Sequence, residues 1–441
     1  MINLSDILII KNWLLGWPLI FYVVAVSVAC TIWLRFVQIR YFFKAINTLL
    51  NPSETAHAGD MTPVQAFVNA LSASIGNGSL AGVATAVYMG GPGAVFWVMI
   101  FGMVLMSIRF AEVFLSTQFA KYAPRGTVLG GPMLYLKQLP FGYVFAYLYA
   151  ISCVIFGLLG GNAAQSNSIM LGLYTTWGIP PMVTAVVAGL FTLYVILGGS
   201  QRIVQVSNKI VPIKVIVFFS SSFFVLAYNY ANIFSALQLI VMSALEPQAV
   251  FGGTLGFTFQ QALRFGMARS IFATEAGLGT AGILFGFTGS TESVKDGLIS
   301  MVSTFISALV AFLVGLCIVT SGVWNSGFDS TALTIAAFNT AFGQLGGWIV
   351  NFLAIAFGMG VLVTYAYVVR AAWFSLTNGK YGFAFVVVYA LTTSIGALVS
   401  VEFVWNAIDV SVACMLFLNL LGIAYLLPVI SRELNAYMQS E

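Results

Sequence analysis

Long apolar stretches separated by short polar breaks run along almost the whole chain. Runs of about 20 apolar residues are the length that crosses a bilayer as a helix. They recur at residues 13–36, 63–88, 93–119, 143–173, 180–199, 210–229, 257–287, 297–322, 345–374, 381–400 and 409–430. The pattern predicts an all-α polytopic membrane protein of about eleven transmembrane helices. It does not show the short alternating segments of a barrel. A shorter amphipathic piece, Ile233 to Leu245, is expected to lie along the surface. No segment is long and polar enough for a soluble domain, so residues 1–441 read as one membrane domain.

Two of these spans are interrupted. The second carries Gly76-Asn77-Gly78-Ser79 about a third of the way along, followed by Ala81, Gly82 and Ala84. A membrane helix has no water to satisfy freed backbone groups, so a polar Gly-rich interruption is tolerated only where protein or a wet cavity covers it. Broken helices of this kind build substrate and ion sites in secondary transporters. A small-residue packing face through Gly78, Gly82 and Ala86 accounts for the glycines but not for Asn77 and Ser79. The seventh span repeats the logic in ARSIFATEAGLGTAG, where Gly277, Gly279 and Gly282 stand beside Thr274, Glu275 and Thr280. Five spans separate the two breaks. Two five-span units therefore fit, residues 63–229 and 257–430, with 13–36 as an extra N-terminal helix.

Charge decides the topology. Lys and Arg gather after the first, third, fifth, seventh, ninth and last spans, at Arg35, Arg40, Lys44, Lys121, Arg125, Lys137, Arg202, Lys209, Lys295, Lys380 and Arg432. Lys214 and Arg370 are read at span edges. The alternate connections hold no Lys or Arg. The positive-inside rule then places the N-terminus outside and the C-terminus in the cytoplasm, which requires an odd number of spans.

Composition narrows the function. The chain is 60% hydrophobic and 7% charged, against about 25% charged in soluble domains. The net charge of +4 bears on sidedness, not on nucleic acid. Cys30, Cys153, Cys317 and Cys414 lie in apolar segments without metal-ligand spacing, as small buried hydrophobes do. The single histidine, His57, sits in a polar loop beside Glu54 and Asp60. It cannot build a triad or a metal site alone. No GxSxG, HExxH or P-loop motif is present, so no enzyme and no ATP-driven pump is read. The stretch from Trp13 to Leu34 is too long for a signal-peptide core and lacks a basic leader, so it reads as a retained helix.

Ionisable groups inside spans are functional candidates by default. Arg109 and Glu112, three apart, can pair on one helix face, and a structural ion pair near the cytoplasmic end is expected. Arg264, Arg269 and Glu275 share the seventh span. In the fourth, Asn162 and Ser166 stand at i,i+4 with Gln165 nearby, to be read either as interhelical glue or as a substrate site. Thr364, Tyr365 and Tyr367 mark the ninth span, where packing is the simpler reading.

At these motifs the chain resembles the alanine or glycine:cation symporter family, over about residues 13 to 430. FVQIRYF at Phe36–Phe42, GNGSLAGVATAVYMGGPGAVFWV at Gly76–Val98, RFAE at Arg109–Glu112, GGPMLYL at Gly130–Leu136 and GNAAQSNSI at Gly161–Ile169 are similar to family blocks. So are GGSQRI at Gly198–Ile203, VPIK at Val211–Lys214, the ARSIFATEAGLGTA run and TALTIAAF at Thr331–Phe338. The resemblance implies a leucine-transporter-type fold with a five-plus-five inverted repeat. It also implies uptake of a small neutral amino acid, typically alanine or glycine, driven by sodium across a cell membrane. Carried residue by residue, Gly76, Gly78, Gly82, Gln165, Glu275, Gly277 and Gly279 match. The expected substrate site is Gly76, Asn77, Gly78, Ser79, Gln165, Ala273, Thr274, Gly277, Gly279 and Thr364. The expected cation or coupling residues are Ser74, Asn77, Thr274, Glu275, Ser307 and Met359. No cofactor is implied beyond the coupling ion, and no partner beyond substrate and bilayer. A bacterial inner membrane is the expected location; the sequence does not give the oligomeric state, and a monomer is compatible with it.

The chain departs from the family at informative places. Asn77 and Ser79 stand where the family reads G-T-G-N, and Ala273 and Thr274 where it reads SNEAG. A family Asp-Thr falls at Ile306-Ser307, a Ser/Thr pair near Met359-Gly360, and a Trp at Thr364. Sodium needs oxygen ligands, so fewer side-chain oxygens shift the task to backbone carbonyls. Two alternatives follow: proton coupling through Glu275 or Glu112, and an amino acid sensor of the same fold that does not transport.

Overall fold

The protein is described by a computed structural model covering residues 16–51, 59–120, 130–245, 259–399 and 401–439, with backbone alone for 401–407. His57, Glu54, Lys121 and Arg125 lie outside the described residues, as do residues 13–15 and 257–258 of two predicted spans. Among the described residues every regular element is helical.

A helix stands at each of the eleven predicted positions. In chain order they are α1 (Trp17–Trp33), the broken pair α2a (Pro63–Ser74) and α2b (Gly78–Gly90), α3 (Gly93–Ala120), α4 (Gly142–Trp177), α5 (Pro181–Leu197) and α6 (Gly199–Tyr228). Then follow the broken pair α7a (Phe259–Thr274) and α7b (Thr280–Gly286), α8 (Ser293–Thr320), α9 (Leu345–Thr377), α10 (Gly382–Gly396) and α11 (Val401–Gln439). Six of these are long and apolar enough to cross a membrane, and the α2 pair, bent by 50°, makes a seventh span; α1, α5 and α10 are shorter apolar helices.

Local chemistry sets the boundaries. Thr62 and Gln65 form a reciprocal capping box at the start of α2a, with Pro63 in the first turn. Gly178 in the left-handed region ends α4, and Pro181 opens α5. Three boundaries differ from the sequence reading. α6 begins at Gly199, eleven residues before 210, because the polar run GSQRIVQVSNK is helical and continuous with the apolar half. α11 runs on to Gln439. The connection between α8 and α9 contains a further helix, Ser330–Phe342, whose Thr334 Oγ1 donates to Leu80 O at 3.2 Å and so lays it across α2b. Helix Ile233–Leu245 has one buried side (Ala236, Ile240, Ala244) packed on α3 and α8, with Phe234 exposed.

The layering follows burial. α3 and α8 pack most extensively against each other, and with α9 they form the centre. α5 instead exposes Met182, Val186, Val187, Leu190 and Leu197, a face suited to lipid. α2b packs against α7a and α2a against α7b, so the two broken helices cross in opposite sense.

Candidate functional site

The two breaks border one cavity of about 80 Å³. Ser74, Gly76 and Gly78 line it from the first break, Glu275 and Leu278 from the second, Gly160, Gly161 and Gln165 from α4, Tyr365 from α9, and Arg269 from α7a. That space holds several waters or one small solute, far below the roughly 300 Å³ and more of a drug-sized site.

Backbone geometry explains why these residues and not others build the breaks. Ile75 leaves the helical region and the chain re-enters through a π-helical turn at Gly78–Gly82. At the second break Gly277 and Gly279 have φ of +90° and +80°, a region that disfavours any side chain. Glu275 holds φ +53° without being glycine, a conformation stabilised only by its surroundings. On α4 a π turn at Leu159–Ala163 brings Gly161 so close to Tyr365 that a Cβ there would lie 2.2 Å from the ring.

Breaking two helices creates four helix ends inside the bundle, each carrying a partial charge. Three have partners within the protein. Glu112 accepts from Gly277 N at 3.0 Å and Gly279 N at 3.1 Å, at the positive start of α7b. Arg109, paired with Glu112 at 2.6 Å, donates to Thr274 O at the negative end of α7a and to Thr304 Oγ1 at 3.0 Å. Asn419 of α11 donates to Glu112 at 3.3 Å and to Gly277 O at 2.8 Å. The expected structural ion pair is therefore present, but it lies abreast of the α7 break and clamps both of its halves. Lys214 Nζ donates to Ser72 O at 3.1 Å and Ile75 O at 2.9 Å at the end of α2a. The fourth end, the start of α2b at Gly78, faces the cavity, where a Cβ on Gly78 would meet nothing within 4 Å.

The expected site residues separate into groups. Gly76, Gly78, Gln165, Glu275 and Ser74 line the cavity. Asn77 joins them by donating from Nδ2 to Gln165 Oε1 at 3.3 Å, while its buried Oδ1 has no partner. Gln165 Nε2 is anchored on Gly160 O at 3.1 Å. Glu275 accepts from Tyr365 Oη at 2.7 Å and Thr280 Oγ1 at 3.1 Å. Ser74 and Ser307 hydroxyls lie 2.6 Å apart, joining α2a to α8. Ser79 reaches back to Ser74 O at 3.5 Å, and Thr274 Oγ1 donates to Ser270 O at 2.8 Å. Ala273, Gly277 and Gly279 are buried and are not among the cavity's lining residues. Thr364 and Met359 are not among its lining residues; Thr364 pairs with Ser207 at 3.0 Å instead.

Some sequence readings resolve here. Asn162 and Ser166 donate to Tyr389 O at 2.8 Å and Thr393 O at 2.7 Å, which makes them glue between α4 and α10. Gly82 packs a hypothetical Cβ 3.5 Å from Arg269 while Gly78 is open, so the packing face and the cavity share one motif. Tyr365, expected to pack, lines the cavity and holds Glu275. Lys214, expected at a span edge, is fully buried. The signal was a lysine in the apolar run IVPIKVIVFF; placing the helix start at 210 hid it.

A comparison with known families decides the classification. The model of the sodium:alanine symporter family matches residues 3–441. The chain belongs to that family. A transporter of Haemophilus influenzae without an assigned substrate is 32% identical over 98% of this chain and 95% of its own length. The sodium/alanine symporter AgcS of Methanococcus maripaludis is 31% identical over 91% of each chain. Among solved structures, a Na⁺-coupled sialic acid symporter in a substrate-bound outward-open state superposes with a TM-score of 0.59. It is 15% identical, over 93% of this chain and 87% of that one, which shows a shared fold. Membership in the sodium:alanine symporter family makes this chain a multi-pass membrane transporter of the cation-coupled amino acid symporter class, and not an enzyme.

Proposed function

We propose that this transporter imports a small neutral amino acid such as alanine or glycine by alternating access, with sodium as the co-transported ion. The observation that carries the reading is the cavity between the two breaks, small enough for such a solute, with polar Gln165 and Glu275 in its wall and the unpartnered Asn77 Oδ1 beside it through the bond to Gln165. The open start of α2b suits the substrate carboxylate, since a helix N-terminus favours an anion. Asn77 Oδ1 and the Glu275–Tyr365 pair are acceptors for its ammonium group, and Gln165 orients Asn77. A sodium ion needs oxygen ligands, and the Ser74 and Ser307 hydroxyls supply two on adjacent helices. In this reading residues 63–229 and 257–430 are the inverted repeats, the N-terminus is outside, the C-terminus is cytoplasmic, and the membrane is a bacterial inner membrane.

The experiment is radiolabelled uptake by the purified protein in liposomes, with a panel of small neutral amino acids. Inward sodium, inward proton and no gradient are the three arms. Uptake of alanine or glycine under sodium alone supports the proposal. Uptake under protons alone moves coupling to a carboxylate, Glu275 first. Saturable binding without uptake makes the protein a sensor.

A further inference from the structure

Lys214 is used neither by the cavity nor by the Arg109–Glu112 clamp. Its side chain is fully buried in α6, a membrane-spanning helix, and among the described residues it forms no ion pair. A lysine at such depth is strongly unfavourable unless something offsets it. What offsets it is the end of α2a. The last carbonyls of a helix have no helical donors and carry about half a negative charge together. Nζ donates to two of them, Ile75 O at 2.9 Å and Ser72 O at 3.1 Å. On another side it stands 5.5 Å from the centre of the Phe357 ring, within reach of a cation–π attraction.

The surroundings are shaped for this ammonium. A Cβ at position 360 would lie 2.7 Å from Nζ and 2.8 Å from Ser72 Oγ, so any side chain there would push the ammonium or the hydroxyl from its place. Ser72 Oγ is itself buried without a partner. Unwound carbonyls at half-helix C-termini are the groups that coordinate the coupling cation in transporters built on broken helices. Here two such carbonyls already hold a positive charge that is covalently part of the protein.

We infer that the Lys214 ammonium is a tethered cation filling the seat formed by the Ser72 and Ile75 carbonyls, so that this seat takes no sodium from solution. The co-transported ion is then confined to other positions, and one cation fewer moves per substrate than if this seat exchanged. The consequence for coupling rests on the transporter reading; the occupancy of the seat does not.

The test removes the tether and offers a free cation. Lys214→Ala leaves the two carbonyls and a lysine-sized space. Thermal stability of purified protein is measured in sodium-free buffer with choline chloride or methylammonium chloride at equal ionic strength. The expected result is a lowered Tm in Lys214→Ala that methylammonium, or separately sodium, raises saturably, with no difference between choline and methylammonium in the unaltered protein. Binding to the folded state alone raises Tm in this way. A folded Lys214→Ala that responds to no cation overturns the inference, and so does a variant as stable as the parent in choline. Should Lys214→Ala fail to fold in any salt, Lys214→Gln decides, because its amide donates to the carbonyls without charge. Substrate binding at least tenfold weaker than in the parent supports a required charge, and unchanged binding refutes it. In liposomes, Lys214→Ala is expected to gain one power in the sodium dependence of uptake. If the parent protein takes up no amino acid, the transport reading fails while the stability assay still reports on the seat.

Discussion

Asn77, Gln165 and Tyr365 show how single polar atoms give the cavity its chemistry. Gln165 is held at both ends of its amide, accepting from Asn77 and donating to Gly160 O. Truncating it to alanine frees Asn77 to turn from the cavity. Net hydrogen-bond contributions of about 1 kcal/mol correspond to a several-fold change. Gln165→Ala is therefore expected to raise the apparent substrate constant roughly five- to tenfold, read from the concentration dependence of uptake; an unchanged constant assigns Gln165 to packing alone. Tyr365→Phe keeps the ring against Gly161 and removes only the donor to Glu275. Since a hydrogen bond to a charged group contributes about 1.5–3 kcal/mol, uptake should fall by roughly ten- to a hundredfold while the amount of folded protein stays the same. Loss of folded protein instead would make the hydroxyl a structural tie.

The broken helices are the unit of function at the next scale, and each half needs its end satisfied. Gly78 opens α2b directly onto the cavity. Gly78→Leu puts a branched side chain into a space of about 80 Å³. Uptake should vanish while membrane-inserted protein remains, measured by transport and by the yield of monodisperse protein; normal uptake would remove this break from the site. Glu112 is satisfied by Arg109, two backbone amides and Asn419. Glu112→Ala leaves Arg109 buried without its counter-charge. Breaking such a pair is destabilising by about 3–5 kcal/mol, so a drop in Tm of several degrees or loss of expression is expected. A variant with parental Tm would show that the clamp is dispensable.

For the whole molecule, sidedness is the property that charge predicts. Lys295 sits in the first turn of α8 and Ser326 just after its end, at opposite ends of one long helix. All four native cysteines are free, and Cys30, Cys153 and Cys317 are buried, so an introduced thiol can be read against a low background once Cys414 is replaced. Ser326→Cys should react with a membrane-impermeant thiol reagent applied to intact cells, and Lys295→Cys only after lysis. The reverse pattern would invert the proposed topology.

Much of this architecture was legible in the chain itself. Spans of apolar residues, charged alternate loops and the two Gly-rich polar motifs follow from the bilayer's inability to hydrogen-bond a backbone. They locate the helices and both breaks without any tertiary contact. The additional helix Ser330–Phe342 and the early start of α6 were not legible, because moderately polar segments become helical only when packed. Nor was the division of labour among polar residues. Asn162 and Gln165 share one motif, yet the first bonds α10 and the second faces the cavity, a difference set by rotation about one helix. The sequence by itself determined where the chain would cross the membrane and where it would break. Only the tertiary structure decided which side chain meets each broken end: Arg109 and Glu112 at α7, Lys214 at α2a, and the cavity at α2b. Those partners lie up to 167 residues apart, and no local pattern encodes a contact between them.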